Sequence, residues 1–208
     1  MIVTSVTTAI VVSANVTVKP MDKCIVVNLF GAPGAGKSTA AAYIFSMLKF
    51  ANINAELVTE FAKDMVWEEN KGVFKPDNQC YLFGEQYNRL SRCKDKVEVI
   101  VTDSPLPLSI LYKTGNILGE SFDEVVMNCF DSFENMNFLL IRNKPYNPVG
   151  RFQTEEESDL LLEELRKLLV DKNINHSVFY SNRGNLDSIV ERVLEKLTEI
   201  RKVGLENN

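Results

Sequence analysis

The sequence has a single histidine, His176, and its four cysteines are scattered without a C-x-x-C pair. Because protein zinc sites are built from closely spaced cysteines and histidines, this distribution disfavours a zinc centre. In a chain of intracellular character, such cysteines are typical of buried free thiols, and two disulfides are the alternative. The cysteines concerned are Cys24, Cys80, Cys93 and Cys129.

The chain also lacks a long uninterrupted apolar run and a basic start. A membrane-spanning helix needs about 18 or more consecutive apolar residues, but Thr, Ser and Asn interrupt residues 1–20. Their first charge is Lys19, so they lack the basic start of a secretory signal. We expect no membrane span and a cytoplasmic protein. Residues 1–20 are expected to form an extra strand or a loose extension, and residues 21–208 the functional domain.

Basic residues are fewer than acidic ones, with 23 Lys and Arg and 28 Asp and Glu, which gives a net charge of −5. An acidic chain gains no general attraction to a phosphate backbone, which disfavours broad nucleic-acid binding. A local basic groove stays possible. The length of 208 residues suits one domain with a sizeable core.

Short apolar runs alternate with helical patterns along the chain. The run "CIVVNLF" at 24–30 is typical of a strand buried on both faces, and further strands are predicted at 53–59, 96–103, 136–142 and 175–181. Capping-box patterns at Ser121 with Glu124 and at Thr154 with Glu157 predict helix starts, and so does Pro76. The alternation predicts an α/β fold, a parallel sheet covered by helices on both sides. Ligands of such sheets bind beyond the carboxyl ends of the strands.

The stretch "GAPGAGKST" fits the phosphate-binding pattern G-x-x-x-x-G-K-[ST], the Walker A motif, through Gly31, Gly36, Lys37 and Ser38. A predicted strand precedes it and a predicted helix follows it, as the pattern requires. Backbone N–H groups of such a loop surround phosphate oxygens, and the helix N-terminus adds positive potential. Lys37 is expected to reach the β- and γ-phosphates, and Ser38 to bind Mg²⁺. The motif therefore predicts ATP and Mg²⁺ as cofactors.

Two carboxylates follow predicted strands. Asp103 ends the strand "VEVIVTD", which is the place of an acid that acts on Mg²⁺ or its waters. Glu60 follows the second strand and is a candidate to take a proton from an acceptor hydroxyl or to bind the substrate. The alternatives are a capping aspartate and an ordinary exposed glutamate.

Polar groups on a helix and on a loop complete the set of candidates. Gln86 and Arg89 lie three apart on one predicted helix and are candidates to bind an acceptor, or else a solvated face. Arg142, Lys144 and Arg151 lie in a Pro/Gly-broken segment after the fourth strand. Such a basic segment is typical of a mobile lid that brings arginines onto the transferring phosphoryl group. The alternative is a plain surface connection.

On these residues the sequence resembles the P-loop kinase-like AAA domain of NadR-type proteins, the ribosylnicotinamide kinase group. More distantly it resembles deoxynucleoside and thymidylate kinases, and it is similar to small proteins encoded by tailed phages. The resemblance covers most of residues 22–197. It is carried by "GAPGAGKST", "VTEFAKD", "GEQ" and "VTDSP".

The resemblance implies an ATP-dependent kinase with five parallel strands in the order 2-3-1-4-5. It implies that Asp103 handles metal or acceptor and that Arg151 belongs to the lid. The segment "SPLPLSILY" after Asp103 lacks the second nearby acid of the group, so the identity of the acceptor stays open. The residues implied in ATP binding are Gly31, Ala32, Pro33, Gly34, Ala35, Gly36, Lys37, Ser38 and Thr39.

Three functions fit the sequence. The first is transfer of the γ-phosphoryl group of ATP to a small nucleoside-like or nucleotide acceptor. The second is a P-loop NTPase that regulates a partner, and the third is a kinase acting on DNA. The basic segment around Arg151 favours the first over the second, and the acidic composition disfavours the third.

Deleting residues 1–20 is expected to leave ATP binding unchanged, because the recognisable unit starts at Met21 after an abrupt change of composition at Pro20. The measurements are the ATP dissociation constant and the melting temperature of the full and shortened chains. A large fall in melting temperature would show instead that the segment is an integral strand.

Overall fold

The computed structural model describes residues 24–74, 78–113, 118–147 and 154–206. Residues 1–20, Pro76 and Arg151 lie outside these ranges. The strands are β1 (Ile25–Phe30), β2 (Ala55–Val58), β3 (Val99–Thr102), β4 (Glu134–Ile141) and β5 (Ser177–Tyr180). The helices are α1 (Lys37–Phe50), α2 (Phe61–Trp67), α3 (Gln79–Ser91), α4 (Leu108–Leu111), α5 (Gly119–Asp131), α6 (Glu155–Asp171) and α7 (Arg183–Glu206), and a 3₁₀ turn spans Lys71–Phe74.

The strands form one parallel sheet in the order β2-β3-β1-β4-β5. In the centre of the sheet Val27 of β1 lies opposite Val101 of β3 and Met136 of β4. The predicted α/β class and the order 2-3-1-4-5 are confirmed. Because all five strands run the same way, the segments that follow β1, β2 and β3 meet at one edge of the sheet.

Both faces of the sheet are covered, as the apolar run at 24–30 predicted. Ile25, Val27 and Leu29 pack with residues of α1 and α7, whereas Val26 and Phe30 pack with residues of α3, α5 and α6. Successive side chains of a strand point to opposite faces, so β1 must be apolar at nearly every position. This two-sided burial holds the central strand, and with it the loop that follows, in place.

One of the two predicted capping boxes is present. The hydroxyl of Thr154 accepts from the Glu157 N–H at 3.2 Å, and the Glu157 carboxylate accepts from the Thr154 N–H at 2.8 Å. The prediction at Ser121 was wrong, because α5 begins earlier, at Gly119 after Leu118. Its buried side chains Phe122, Val126 and Phe130 set where the helix lies, so the serine falls inside the first turn.

The cysteines are free thiols, but not all of them are buried. Cys24 is buried, and desolvation raises the pKa of its thiol to about 12. Cys80 is exposed, which corrects the expectation of burial, because it lies on the outer face of α3. Among the helices within the described ranges, none combines the length and the apolar character needed to cross a membrane.

Candidate nucleotide-binding site

The loop between β1 and α1 depends on its glycines. A Cβ atom at Gly31 would lie 2.8 Å from the carbonyl oxygen of Leu140 in the neighbouring strand β4. Gly34 and Gly36 have φ values of 84° and 91°, in the left-handed region that side chains disfavour. The Ala35 N–H donates to the carbonyl of Ala32 at 3.1 Å and closes the turn. The shape of the loop therefore depends on Gly31 and Gly36 of the motif and on Gly34 between them.

Helix α1 starts at Lys37, directly after the left-handed Gly36. Its first turn carries no acidic residue and no side-chain cap, and Ser38 and Thr39 are exposed. The first N–H groups of a helix have no partner within the helix, and they favour an anion. The start of α1 therefore has the features that attract an anion, and phosphate binding there stays a prediction.

Lys37 is folded over the loop. Its ammonium group donates to the carbonyl oxygens of Gly31 at 2.7 Å and of Ala32 at 3.3 Å. These carbonyls hold the amine beside the loop without neutralising its charge. A phosphate arriving in the loop would meet this cation at close range.

Asp103 and Glu60 lie together at the carboxyl ends of β3 and β2. The Asp103 carboxylate, 3% exposed, accepts a hydrogen bond from the backbone N–H of Glu60 at 3.1 Å. The Glu60 side chain is half-buried and interacts electrostatically with Lys37 and with Asp103. The structure therefore brings two predicted carboxylates and the predicted lysine to one place.

The surroundings raise the proton affinity of Glu60. Burial raises the pKa of its carboxyl above the ordinary value, the Asp103 carboxylate acts in the same direction, and the Lys37 ammonium opposes them. Tyr112, next to the end of α4, belongs to the same group. Burial and the Glu60 carboxylate raise the pKa of its phenol to about 12. Sequence reasoning missed Tyr112, because no motif marks a tyrosine at the end of a four-residue helix.

Gln86 and Arg89 support the segment that carries Glu60. The Gln86 side chain, 5% exposed, accepts from the Phe61 N–H at 2.8 Å and donates to the Thr59 carbonyl at 3.4 Å. Arg89 forms an ion pair with Asp64 at 2.6 Å, and its guanidinium lies 4.9 Å from the centre of the Phe61 ring. Direct contact of Gln86 or Arg89 with an acceptor stays a prediction.

The segment after β4 also lies beside the loop between β1 and α1. Arg142 is paired with Glu155 at 2.8 Å and with Asp159 at 2.6 Å, both on α6, and its guanidinium lies over the ring of Tyr146. A Cβ atom at Gly34 would lie 3.0 Å from that ring. Arg142 is therefore next to the loop but bound to carboxylates.

The other two lid candidates are less informative. Lys144 is exposed, and Arg151 lies outside the described residues. The lid function of Arg142, Lys144 and Arg151 stays a prediction.

The candidate metal ligands are Ser38, exposed at the start of α1, and the buried Asp103. Within the described ranges, three or more His, Cys, Asp or Glu side chains nowhere gather as a metal-binding group. Mg²⁺ is commonly held by one or two protein oxygens together with phosphate oxygens and water. A hydroxyl and a carboxylate beside a phosphate-binding loop fit that ligand set.

Comparison with known proteins gives structural neighbours. No family model and no curated protein sequence matches the chain. Thymidylate kinase from Ehrlichia chaffeensis superposes with a TM-score of 0.58 at 11% identity, over 84% of this chain and 99% of that one. The NadR protein in complex with NAD and AMP-PNP superposes with a TM-score of 0.60 at 17% identity, over 85% of this chain and 50% of that one. The APS kinase CysC from Mycobacterium tuberculosis aligns over 85% of this chain and 98% of that one, at 14% identity and a TM-score of 0.46.

At these identities the likeness concerns the fold. The first two neighbours confirm the α/β P-loop kinase fold that the resemblance implied, and NadR among them is consistent with the NadR-type suggestion. The third is too distant to carry an argument. Nothing in the comparisons supports a phage origin. The chain has the fold of P-loop nucleotide kinases.

Proposed function

We propose that this protein is a Mg²⁺-dependent kinase that transfers the γ-phosphoryl group of ATP to a small nucleoside-like or nucleotide acceptor. The observation that carries the proposal is the hydrogen bond from the Glu60 N–H to Asp103. It joins the carboxyl ends of β2 and β3 beside Lys37, so a candidate base and a candidate metal ligand lie next to a phosphate-binding loop.

The phosphates of ATP would be held by the residues from Gly31 to Thr39. A Cβ atom at Gly36 would lie 2.9 Å from the Ser181 hydroxyl oxygen, so glycine keeps the chain close to the segment after β5. Loop N–H groups, the start of α1 and the Lys37 ammonium all favour an anion there. Ser38 and Asp103 are the residues to hold Mg²⁺, which neutralises charge on the phosphates when bound.

In the proposed reaction, Glu60 takes a proton from an acceptor hydroxyl. Its raised pKa makes the carboxylate a stronger base than an ordinary glutamate. Gln86 holds the backbone on both sides of Glu60, at Thr59 and Phe61. This support holds the backbone from which the carboxylate projects, which matters because proton transfer requires a short and well-aligned contact.

The names of two neighbours agree with an acceptor of this class. One is a thymidylate kinase, and the other is NadR bound to NAD and AMP-PNP. Both names refer to nucleotides or their derivatives. The same class is the one that the sequence resemblance implied.

An acceptor screen tests the proposal. The purified protein is incubated with ATP and Mg²⁺, with or without nucleosides, nucleoside monophosphates or DNA, and ADP is measured. The Lys37→Ala variant serves as the blank. ADP that forms only with a small acceptor supports the kinase. Slow ADP formation without any acceptor identifies the NTPase instead, and formation only with DNA identifies the DNA kinase.

Lys37→Ala is expected to abolish phosphoryl transfer while the melting temperature stays close to that of the wild type. The lysine contacts loop carbonyls rather than the apolar core, so its loss removes charge from the phosphate site and little packing. Lys49→Ala, an exposed lysine in the last turn of the same helix, is the matched control. Near-normal turnover of Lys37→Ala would remove the loop from the mechanism.

Asp103→Asn is expected to raise the Mg²⁺ concentration needed for half-maximal activity by about 10- to 100-fold. The amide oxygen can still accept the Glu60 N–H, so the change removes charge and keeps the local geometry. The affinity for ATP without metal should hold, because loop N–H groups bind the phosphates. Asp131→Asn, at the exposed end of α5, is the control. An unchanged Mg²⁺ midpoint would contradict the metal role.

Arg151→Ala is expected to lower the single-turnover rate by about 10² to 10³ with little loss of ATP affinity. A guanidinium can bridge two oxygens of the transferring group, and an arginine of this kind contributes most to the transition state. Arg151→Lys should recover little, because a point charge cannot bridge in the same way.

The measurement for Arg151 is the single-turnover rate and the ATP dissociation constant on the same preparation. Arg166→Ala, an exposed arginine of α6, is the control. A loss of affinity with an unchanged rate would make Arg151 a ground-state clamp. If neither quantity changes, the basic segment after β4 does not act as a lid, and the regulatory NTPase becomes the better hypothesis.

A further inference from the structure

Ser158 bonds to a distant part of the chain instead of its own helix. A serine inside a helix can donate to the carbonyl four residues earlier, as Ser188 does to Gly184 in α7 at 3.2 Å. Ser158, 1% exposed in the first turns of α6, donates instead to the carbonyl of Pro33 at 2.7 Å. Pro33 lies in the middle of the phosphate-binding loop, 125 residues earlier in the chain.

The position of the Ser158 hydroxyl is fixed by its surroundings. The capping box of Thr154 and Glu157 sets where α6 begins. In the same first turns of α6, Glu155 and Asp159 hold Arg142, which packs on the Tyr146 ring beside Gly34. The beginning of α6 is therefore attached both to the loop and to the segment after β4.

The bond to Pro33 determines the direction of one loop N–H group. A trans peptide unit is planar, and its C=O and N–H point in opposite directions. The carbonyl of Pro33 shares its peptide unit with the N–H of Gly34. Because Ser158 holds that carbonyl toward α6, the Gly34 N–H points away from α6.

This peptide unit could otherwise turn over at little cost. Turning it changes ψ of Pro33 and φ of Gly34, and glycine accepts positive and negative φ about equally well. The observed φ of 84° at Gly34 is one of the two choices. A part-buried hydrogen bond at 2.7 Å selects between them.

We propose that Ser158 is a positioning residue of the phosphate-binding loop: it holds the Pro33–Gly34 peptide so that the Gly34 N–H faces a bound phosphate chain. This inference rests on the proposed function, because it takes the ligand to be a nucleoside triphosphate. It adds a residue outside the loop, on the helix that follows the basic segment, to the phosphate site.

The test compares three variants of the full chain. Ser158→Ala removes the hydroxyl, Ser158→Thr keeps it, and Ser188→Ala removes a serine hydroxyl that bonds within its own helix. Dissociation constants for ATP, inorganic tripolyphosphate and adenosine are measured by calorimetry. Hydrogen exchange of the amides in residues 31–38 is followed in the same proteins.

Ser158→Ala is expected to raise the dissociation constants of ATP and tripolyphosphate by the same factor. That factor is about 3- to 10-fold, the range for one hydrogen bond. Adenosine affinity should not change, and exchange of the loop amides should quicken while the rest of the chain keeps its protection. Ser158→Thr and Ser188→Ala should bind as the wild type does.

Two results would overturn the proposal. One is wild-type affinity for tripolyphosphate in Ser158→Ala. The other is a loss in Ser158→Thr as large as in Ser158→Ala, which would assign the effect to packing. A wild-type protein that binds tripolyphosphate but transfers no phosphoryl group would refute the kinase and leave the role of Ser158 intact.

Discussion

The close approach of the loop backbone to strand β4 constrains the whole site. A Cβ atom at Gly31 would lie 2.8 Å from the Leu140 carbonyl oxygen, closer than Cβ atoms approach other atoms in proteins. The first residue after β1 must therefore be glycine for the chain to follow this path. The parallel pairing of β1 with β4 and β3 fixes the strand on both sides. Lys37, Asp103 and Glu60 come together because three parallel strands end at the same edge.

Much of the fold was accessible from the sequence because it depends on local patterns. The apolar run at 24–30 predicted a strand buried on both faces, and Thr154 with Glu157 predicted the start of α6, since both signals lie within a few residues. The strand order came from the resemblance, because order in a sheet is a property of long-range pairing. Ser121 with Glu124 has the same pattern as Thr154 with Glu157, but α5 begins two residues earlier, at Gly119. The packing of its apolar face, rather than the capping pattern, sets where this helix starts.

The site divides in the same way. The glycines and Lys37 were predicted, because one contiguous stretch contains them and its chemistry demands those residue types. Ser158 and Tyr112 were not, because each interacts with a partner distant in sequence, Pro33 for the first and Glu60 for the second. A serine inside a helix carries no signal of its own, and a tyrosine after an apolar stretch is typical of core packing.

The proposed phosphate site would favour long phosphate chains over short ones. Lys37 donates to the carbonyls of Gly31 and Ala32 and interacts electrostatically with Glu60, and an incoming anion must compete with these partners. A single phosphate at the start of α1 would not reach Lys37 and could not replace its contacts with the carbonyls. A chain of phosphates could contact the α1 amides and the lysine together. Arg142, already paired with Glu155 and Asp159, adds little further attraction as it stands. For the proposed phosphate site we therefore expect tighter binding of a triphosphate than of a single phosphate, because only a chain of phosphates contacts Lys37 and the start of α1 together.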